Sequence, residues 1–530
     1  MIIRTTETER VIIREELVTM SDGVRLYTRY AAPSAAAQCP TVLIRTPYEP
    51  SWRDTPQDAA CAAYAEGSAL GRFLDHGYAV VLQHCRGKGD SEGFCIPYAP
   101  EERRDGLETL DYIRRLPTYN GEIFLTGESY LATVHLSYLS AKPHDVKGAC
   151  LAIQTDRLFF RNYRNGLNYK LNNIGWWCGM ANRKYPNSDL GAAFRLPYIE
   201  AAQRVFGEDV PEFTDTLIHN TCDEFWQNDD KWNVMETLEI PTLLVEGWYD
   251  FYVEGMTDMW RRMPRSTKAR SAMLIGPYGH ATSVGSEFEY PLPSGNLPPD
   301  YVVEWFDSIR EGRPFRYAEL GRIRYYSIGA DEWRVGDDPF AACRTARFFL
   351  GDRTLSEQPP RGGVALGYRY DPDRVTNSFK SFGIFRAHEA GSVPSILSFV
   401  GEPVTEEMRC FGSVRFSLRV SSDCEDTAFF ARLYLVDGGV AYNLTEAMSG
   451  LLQLVGDYTA GDTVTVELVT PPIAFTLKAG MCLRVDSASE TGNYLPHPNV
   501  KGHFAYVTER RIACNTVYTE GSYLDLPLEK

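Results

Sequence analysis

Long apolar runs are absent from this 530-residue chain, and their absence excludes the simplest kind of membrane protein. No run approaches the roughly 20 apolar residues that a helix needs to cross a bilayer. The first ten residues also lack an apolar segment of the length found in signal peptides. From the sequence we therefore expect no membrane partner.

The 12 cysteines do not form the spacing pattern of a metal site or a disulfide framework. The nearest pairs, Cys85 with Cys95 and Cys410 with Cys424, lack the short spacing of metal-binding cysteines. Others, such as Cys150, lie in apolar runs that are typical of buried free thiols. We predict no metal site, no cofactor and a reducing, cytoplasmic setting.

Basic residues are fewer than acidic ones, since the chain has 54 basic and 70 acidic residues and a formal charge of −16. The basic residues are scattered, which argues against nucleic acid or an anionic membrane as the main partner. Apolar residues make up 44% of the chain, as in ordinary globular proteins. The length exceeds what one hydrophobic core supports, so several domains are expected.

The first third of the chain alternates predicted strands with predicted helices. This alternation predicts a parallel sheet with helices on both faces, preceded by a hairpin. The hairpin strands fall at 11–18 and 24–30, the buried strands at 41–44, 78–82, 123–125 and 146–153, and the helices at 68–74 and 103–116.

The pattern changes twice further along the chain. After residue 153 it becomes helical and rich in aromatic residues, strands resume near residue 241, and short alternating strands dominate from residue 337. The fold class is therefore α/β, with an inserted helical cap and a C-terminal all-β jelly-roll domain. The predicted division is an α/β domain in two parts, 1–153 and 237–336, a cap at 154–236 and the jelly roll at 337–530.

One serine has the surroundings of a catalytic nucleophile. The sequence Gly-Glu-Ser-Tyr-Leu-Ala begins at Gly127, directly after a strand-like run and directly before a helical one. This is the layout of a nucleophile elbow, in which a sharp turn needs small residues on both sides of the serine. Gly127 and Ala132 are the small residues beside Ser129. Because a Gly-x-Ser sequence is common in loops, the assignment depends on partners.

A serine hydroxyl needs a base, and the base needs an acid that orients it. In elbow-type hydrolases the chain order is serine, acid, histidine, with the last two on loops after strands. Of seven histidines downstream, only His280 follows a buried strand at once, and Asp250 precedes it by 30 residues. Glu246 is the alternative acid, and the alternative role for Asp250 is the N-cap of a helix at 255–262.

The first parallel strand ends in Arg-Thr-Pro-Tyr48. A phenol at this place can supply an oxyanion donor, paired with the backbone N–H of Tyr130, although an ordinary loop tyrosine is the alternative. The Gly-rich segment 86–93 lacks both the Walker spacing and the GxGxxG pattern, so it is interpreted as a tight structural loop.

The predicted cap offers four aromatic residues that would wall an apolar acyl pocket, with packing inside the cap as the alternative. They are Phe159, Phe160, Trp176 and Trp177. Adjacent residues on a helix point about 100° apart, so at most one of the two tryptophans is expected to face the substrate.

Five motifs occur in the order found in one known family. They are Arg-Thr-Pro-Tyr48, the Gly-rich segment 86–93, Gly-x-Ser-Tyr around Ser129, Gly-Trp-Tyr-Asp250 and Gly-Pro-x-x-His280. This set resembles the cocaine esterase / X-Pro dipeptidyl-peptidase family of α/β-hydrolases, the CocE/NonD-type serine hydrolases, which include α-amino-acid ester hydrolases and acylases. Segments 368–373 and 441–445 are similar to jelly-roll segments of that family.

The resemblance implies Ser129 as nucleophile, Asp250 as acid and His280 as base. It also implies an oxyanion hole from the Tyr48 hydroxyl and the Tyr130 N–H, a helical cap at about 154–236, and a homodimer as a possible assembly. The chain departs from the family in two places. Ala132 replaces a glycine, and the acidic residues that hold a substrate ammonium in the α-amino-acid ester hydrolases are missing after Asp250.

We expect a serine hydrolase that cleaves small-molecule carboxylic esters or amides through an acyl-enzyme. The alternatives are an X-Pro dipeptidyl aminopeptidase or an acylase, and a non-catalytic binding protein. An aminopeptidase would need a carboxylate in the cap for the substrate amine, for which Asp156 and Asp223 are candidates. Glu254 is a candidate substitute for the acidic residues that are missing after Asp250. A carbohydrate-binding role for the C-terminal domain is a further alternative to packing against the hydrolase domain.

Overall fold

The computed structural model describes residues 1–529 except 49–60, 165, 182–189, 230, 340–343, 376–378, 381 and 493. The first part of the chain contains strands β1–β7 and helices α1–α3, in βαβ order from β4 onward. The strands are β1 (Ile2–Glu7), β2 (Val11–Thr19), β3 (Arg25–Pro33), β4 (Cys39–Thr46), β5 (Ala79–His84), β6 (Tyr119–Glu128) and β7 (Val146–Ala152). The helices are α1 (Gly71–Asp75), α2 (Glu101–Arg114) and α3 (Tyr130–Leu139).

A largely helical segment follows β7 and interrupts the sheet. It contains α4 (Phe159–Asn162), α5 (Lys170–Met180), α6 (Ala201–Phe206), α7 (Pro211–Ile218) and α8 (Glu224–Gln227). A small hairpin of β8 (Tyr163–Arg164) and β9 (Leu167–Asn168) lies between α4 and α5. The sequence did not predict this hairpin, because each strand has only two residues and no alternation can show in so short a run.

The sheet resumes after this segment. The added elements are β10 (Thr242–Gly247), α9 (Val253–Arg262), α10 (Arg265–Lys268), β11 (Ala272–Gly276), α11 (Tyr301–Glu311), β12 (Ile323–Ser327) and β13 (Glu332–Gly336). Within the described residues the strand order is β1-β2-β3-β5-β4-β6-β7-β10-β11-β12-β13. The central strands from β5 to β12 are parallel, and antiparallel strands flank them. Every residue of β5 and β10 is buried, as expected for parallel strands covered on both faces.

The C-terminal part is a second sheet of ten described strands with one short helix. The strands are β14 (Arg344–Leu350), β15 (Thr354–Ser356), β16 (Ala365–Tyr370), β17 (Leu397–Gly401), β18 (Met408–Ser422), β19 (Ala428–Asp437), β20 (Val440–Gly450), β21 (Val464–Leu477), β22 (Cys482–Ala488) and β23 (Ala513–Leu528). Helix α12 (Leu451–Val455) follows β20. The order is β20-β19-β22-β17-β15-β14-β23-β18-β21, with β16 paired to β23.

The predicted fold class, an α/β-hydrolase fold with a helical insertion and an all-β C-terminal domain, is confirmed. The four domain boundaries stay a prediction. Among the strands that the sequence patterns did not indicate, β1 is a mostly exposed, polar edge strand, and β23 carries polar residues at its centre. Across the described residues, no helix combines the length and the apolar character needed to cross a membrane.

Candidate active site

Ser129 stands at the junction between β6 and α3, in the turn that the sequence predicts. Its backbone has φ 54° and ψ −124°, a conformation that a residue with a side chain adopts only under constraint from its surroundings. The turn lifts the serine side chain out of the end of the sheet. It also places the N-terminus of a ten-residue helix directly behind the serine.

The small residues beside the serine have a steric cause. A Cβ atom on Gly127 would lie 2.5 Å from the carbonyl carbon and oxygen of Leu131, because the first turn of α3 folds back on the strand. Ala132 is fully buried, and its N–H donates to the Ser129 carbonyl at 2.9 Å. The turn therefore closes with a methyl group where the family pattern has glycine.

A glutamine that the sequence patterns did not indicate braces this turn. The amide nitrogen of Gln154 donates to the Ser129 carbonyl at 3.1 Å and also to the Thr133 hydroxyl. Gln154 follows β7 and is buried, so the neighbouring strand is tied to the turn. Only the three-dimensional adjacency of β6 and β7 shows this role.

Ser129, His280 and Asp250 form a hydrogen-bonded chain. His280 Nε2 lies 2.9 Å from Ser129 Oγ, and His280 Nδ1 lies 2.6 Å from Asp250 Oδ2. The Asp250 side chain is fully buried, whereas that of His280 is 33% exposed. Such an arrangement can transfer the serine proton to the imidazole while the buried carboxylate holds the ring in one orientation.

Asp250 does not cap a helix, which was the alternative role. Helix α9 begins at Val253, and its N-cap residue is Tyr252, without a side-chain cap. The second carboxylate oxygen of Asp250 accepts the N–H of Tyr252 at 2.6 Å. The ring of Phe251 stacks on His280, with 4.6 Å between centroids and 26° between planes. Both oxygens of the acid are thus engaged, and the imidazole has an aromatic neighbour.

The loops that carry the acid and the base continue to pair beyond their strands. The N–H of Trp248 donates to the Gly276 carbonyl at 3.0 Å, and the N–H of Tyr249 donates to the Tyr278 carbonyl at 2.9 Å. Gly247 is needed at this contact, because a Cβ there would lie 2.4 Å from the Tyr278 carbonyl oxygen. The separation of Asp250 from His280 is therefore set by backbone.

The C-terminal domain contacts both of these loops. The hydroxyl of Tyr249 donates to the Asn443 carbonyl at 3.0 Å. Gly279 packs so closely on the Phe382 backbone that a Cβ would lie 2.3 Å from the Phe382 carbonyl oxygen. The all-β domain thus packs against the residues that immediately precede Asp250 and His280.

Glu246, the alternative acid, is buried at the end of β10. One of its oxygens accepts the N–H of Gly247 at 2.8 Å, and the other meets no hydrogen-bond donor in the described part of the chain. Burial, and then the nearby charge of Asp250, raise the pKa of Glu246 well above its usual value. This shift favours the neutral form of the carboxyl, and its hydrogen bond is with Gly247 and not with His280.

Tyr48 reaches the serine from the end of β4. Its hydroxyl interacts with the Ser129 hydroxyl and accepts the indole N–H of Trp176 at 3.1 Å. Desolvation raises the pKa of Tyr48, against the opposing effects of the Trp176 N–H and the Arg161 charge. Because indole only donates, the tyrosine uses a lone pair toward Trp176 and keeps its own proton for the serine side.

The backbone N–H of Tyr130 is the other predicted oxyanion donor. It opens helix α3, and it meets no acceptor among the described residues. The Tyr130 side chain points away into the core, where its hydroxyl accepts the N–H of Tyr98 at 2.9 Å. Tyr130 therefore offers its backbone, and not its phenol, to the space above Ser129.

These groups open into a cavity of about 870 Å³, within the range of small-molecule sites. One part of the lining comes from the sheet, α1 and α11, and includes Glu128, Leu70, Phe73, Tyr301 and Val302. Another part comes from the cap, the loop after Asp250 and the segment before α2, and includes Arg161, Trp176, Phe251, Tyr252 and Tyr98. We refer to these as the sheet-side wall and the cap-side wall.

Of the four aromatic residues predicted for the pocket, Trp176 lines this cavity. Trp177 is buried in the core of the cap, where it packs on Phe213. Phe159 stacks on Tyr163, and Phe160 packs edge-on against Phe159. For Trp177, Phe159 and Phe160 the pocket expectation is replaced by packing within the cap, since adjacent residues on these helices face different sides.

The three carboxylates considered as amine anchors are absent from the described lining of the cavity. Asp156 is buried against Arg262, Asp223 caps α8 and lies 2.7 Å from His219, and Glu254 lies 3.7 Å from Arg164. The one acidic side chain among the described lining residues is Glu128, which accepts the hydroxyl of Thr282 at 3.0 Å. The sequence patterns did not single out Glu128 or Arg161.

Comparisons with known proteins agree with this geometry. Residues 22–282 match the X-Pro dipeptidyl-peptidase (S15 family) domain, and residues 318–525 match the X-Pro dipeptidyl-peptidase C-terminal non-catalytic domain. A solved α-amino acid ester hydrolase has the same fold, with a TM-score of 0.83, 20% identity, and coverage of 99% of this chain and 98% of the other.

Two curated relatives are esterases by name. A putative serine esterase of Mycobacterium bovis is 33% identical over 506 residues, covering 80% of this chain and 78% of the relative. The cocaine esterase of Rhodococcus sp. (strain MB1 Bresler) is 24% identical over 467 residues, covering 79% of each chain. The family resemblance of the five motifs is thereby confirmed. The chain belongs to the S15 family, that of the X-Pro dipeptidyl-peptidases and their serine-esterase relatives, and is a serine hydrolase.

Proposed function

We propose that this enzyme cleaves small-molecule carboxylic esters or amides through an acyl-enzyme on Ser129, with His280 as base and Asp250 as acid. The observation that carries the proposal is the hydrogen-bonded chain at the floor of the cavity. Ser129 Oγ lies 2.9 Å from His280 Nε2, and His280 Nδ1 lies 2.6 Å from Asp250. The exposed face of His280 and the strained turn at Ser129 both open toward the substrate space.

In the acylation step Ser129 Oγ attacks the substrate carbonyl carbon while His280 Nε2 takes the hydroxyl proton. Asp250 stabilises the imidazolium that forms, because its buried carboxylate accepts the Nδ1 proton. His280 then gives the proton to the leaving alcohol or amine as the tetrahedral intermediate collapses. The acyl group remains on Ser129.

Two donors are available to the oxyanion of that intermediate. The Tyr48 hydroxyl interacts with Ser129, and the Tyr130 N–H opens the helix behind it. A phenol and a helix N-terminus both favour negative charge that develops in a space shielded from water. In the second half-reaction His280 activates a water, which releases the acid and restores the serine.

An X-Pro dipeptidyl aminopeptidase is the second candidate, and one observation favours it. Glu128 lines the cavity next to the nucleophile and has an exposed carboxylate, which can hold a substrate ammonium. The missing acidic residues after Asp250 and the cation on the cap-side wall favour the esterase. Comparing Ala-Pro-p-nitroanilide with p-nitrophenyl esters of similar length separates the two activities.

The direct test is a screen of p-nitrophenyl esters, anilides and the X-Pro anilide with the wild-type chain and Ser129→Ala. We expect turnover of esters, with loss of at least about 10⁴-fold in Ser129→Ala. Ser137→Ala, on the same helix, is the matched control and should keep most of the activity. Ester hydrolysis that survives in Ser129→Ala would contradict the proposal.

Two further parts of the proposal concern partners. We keep the expectation that nucleic acid is not a partner, supported by the formal charge of −16, and the homodimer that the family resemblance suggests. Light scattering on the purified chain distinguishes a dimer near twice the 59.8 kDa chain mass from a monomer.

A further inference from the structure

Arg161 is a buried cation on the wall of the active-site cavity. It lies on α4, is 5% exposed, and lines the same space as Ser129 and Trp176. Its guanidinium carbon sits 4.5 Å from the ring centroid of Trp176 and 5.5 Å from that of Tyr98. The charge is thus held between aromatic faces, close to the tryptophan that donates to Tyr48.

No acidic partner for Arg161 exists among the residues that the structure describes. Its Nη1 is buried without a hydrogen-bond acceptor there. The groups that act on its charge are the phenols of Tyr98, Tyr252 and Tyr48, with a hydrogen bond to Tyr252. Each of these is a neutral hydroxyl at pH 7, so the positive charge is not neutralised.

Two neighbouring arginines on the same segment differ from Arg161, because each of them has a carboxylate partner. Arg157 also lies over an aromatic ring, that of Trp232 at 4.9 Å, but it pairs with Asp258 at 3.3 Å and Glu236 at 3.1 Å. Arg164 lies 3.7 Å from Glu254. Of these three arginines, only the one that lines the cavity lacks a carboxylate partner among the described residues.

An unpaired buried charge destabilises a fold unless other contacts offset it. The two aromatic faces offset part of this cost through cation–π contacts. They leave the edge of the guanidinium, with its Nη1 donor, open. That edge is suited to a carboxylate, which it binds through charge-assisted hydrogen bonds.

We infer that Arg161 anchors a carboxylate of the substrate, so that the preferred substrates are esters or amides with a second, anionic group near the scissile bond. Hemiesters of dicarboxylic acids and esters of hydroxy acids are the two simplest forms. This inference rests on the proposed function, since it concerns the same cavity. The Tyr252 hydroxyl lies beside the anchor and can donate its proton to the same carboxylate.

The opposite charge on the cavity wall lies among different residues. Glu128 contacts Thr282 and lies near Tyr301 on the sheet-side wall. An ammonium on the substrate would be attracted to Glu128 and repelled by Arg161. The charge of the substrate therefore decides whether its charged group lies at the sheet-side wall or at the cap-side wall.

The first experiment compares mono-p-nitrophenyl glutarate with p-nitrophenyl glutaramate, which differ only in a carboxylate and an amide. We expect the wild-type chain to prefer the anionic ester at least 10-fold in kcat/KM. In Arg161→Met this ratio should fall at least 10-fold, to near 1, because a charge-assisted hydrogen bond is removed from a buried site. Arg161→Lys, which keeps the charge, should retain part of the preference and serves if the Met variant does not fold.

Arg157→Met is the matched control. It removes a stacked arginine from the same segment, but one that is absent from the described lining of the cavity. The ratio of the two esters should stay within about 2-fold of wild type, whatever happens to stability. A second pair, 3-acetoxybenzoate and 3-acetoxybenzamide, carries the charge on the leaving group and shows which half of the substrate reaches Arg161.

Calorimetry separates this inference from the proposed function. Titrating Ser129→Ala with monoethyl glutarate should give binding at least 10-fold tighter than ethyl glutaramate, and the difference should vanish when Arg161→Met is added. If neutral esters are turned over at Ser129 while neither anionic pair is preferred, only the anchor is wrong. Equal loss for charged and neutral esters in Arg161→Met would also overturn the anchor, because it would show a role in packing or in positioning Tyr48.

Discussion

The sheet-side groups of the active site and the cap-side wall hold their functional atoms by different means. Ser129, Asp250 and His280 each follow a strand of one sheet, and backbone hydrogen bonds fix the loops that carry them. The cap-side groups contact one another through side chains. Trp176 meets Tyr48 across 128 positions in the chain, and Arg161 meets Tyr98 and Trp176 through ring faces.

This difference separates the chemistry from the choice of substrate. The three residues of the proposed triad follow strands and are fixed by the sheet, and the all-β domain contacts their loops through Tyr249 and Gly279. The charge of a wall built from side chains can be changed by a single substitution. Variants on the triad side should therefore reduce turnover of every substrate, whereas variants that change the charge of the cap side should change the ranking of substrates.

The largest effect is expected for Asp250→Asn. An amide in place of the carboxylate cannot stabilise the imidazolium and favours the wrong tautomer of His280, so kcat should fall about 10⁴-fold for all esters alike. Steady-state kinetics on charged and neutral p-nitrophenyl esters measures this. Unequal losses between the two esters would contradict the view that variants on the triad side affect all substrates alike.

Glu246→Gln is the control for that variant. Burial raises the pKa of Glu246 and so favours the neutral carboxyl, which glutamine resembles in shape and charge. We expect kcat within about 3-fold of wild type. A loss comparable to that of Asp250→Asn would make Glu246 the functional acid.

Tyr48→Phe comes next, because it removes one oxyanion donor and leaves the other. The expected loss is about 10² to 10³-fold in kcat with little change in KM, the range known for single oxyanion donors. The tyrosine stands at the junction of the two walls, so charged and neutral esters should lose equally. An unchanged kcat would leave the oxyanion to Tyr130 alone.

Trp176→Phe should have a smaller effect on kcat and should leave the substrate preference in place. Phenylalanine keeps an aromatic face for Arg161 but cannot donate to Tyr48, so kcat should fall about 5-fold for neutral esters. The preference for an anionic ester should survive, since the arginine remains. Measuring both kcat values and the substrate ratio checks this, and loss of the preference would show that the indole itself positions Arg161.

The smallest effect concerns a histidine that packs beneath the serine. His135 on α3 is fully buried between the Tyr138 hydroxyl at 2.6 Å and the Thr126 carbonyl at 3.1 Å, and burial lowers its pKa to about 3. The unfolded chain takes up this proton below about pH 6.5, whereas the folded chain does not until about pH 3. As the pH is lowered from about 6.5 to about 3, the free energy of unfolding should therefore decrease, by up to about 1.4 kcal/mol per pH unit.

Urea unfolding between pH 7 and pH 4 measures this slope. His135→Gln should flatten it, because glutamine binds no proton in either state. The exposed His144 is the control, and His144→Gln should leave the slope as it is. An unchanged slope in His135→Gln would mean that this histidine does not contribute to acid unfolding.

The parts of this molecule that sequence predicts are those that follow local patterns. The central strands, the turn at Ser129 and the order of Asp250 and His280 follow hydrophobic periodicity, small residues and chain order. The roles of Gln154 and Arg161 depend on contacts between distant segments, which no local pattern records. The same reason explains why only Trp176 of the four expected aromatic residues lines the cavity.

Other expectations from the sequence stay predictions. The cytoplasmic setting, the homodimer, the jelly-roll description of the second sheet and the four domain boundaries are of this kind. Each depends on properties of the whole molecule and not on a local pattern.

The Gly-rich segment 86–93 is a tight turn with positive φ at Gly87 and Gly89, next to His84, as interpreted from its spacing.

The most direct test of the central claim is the site of covalent labelling by a fluorophosphonate. The wild-type chain should take up one label, and peptide mass mapping should place it on Ser129, with loss of ester hydrolysis in the same proportion. Ser129→Ala should take up none, while Ser137→Ala should label like wild type. A label on another residue, or active wild-type enzyme that takes up no label, would contradict the assignment of Ser129 as the nucleophile.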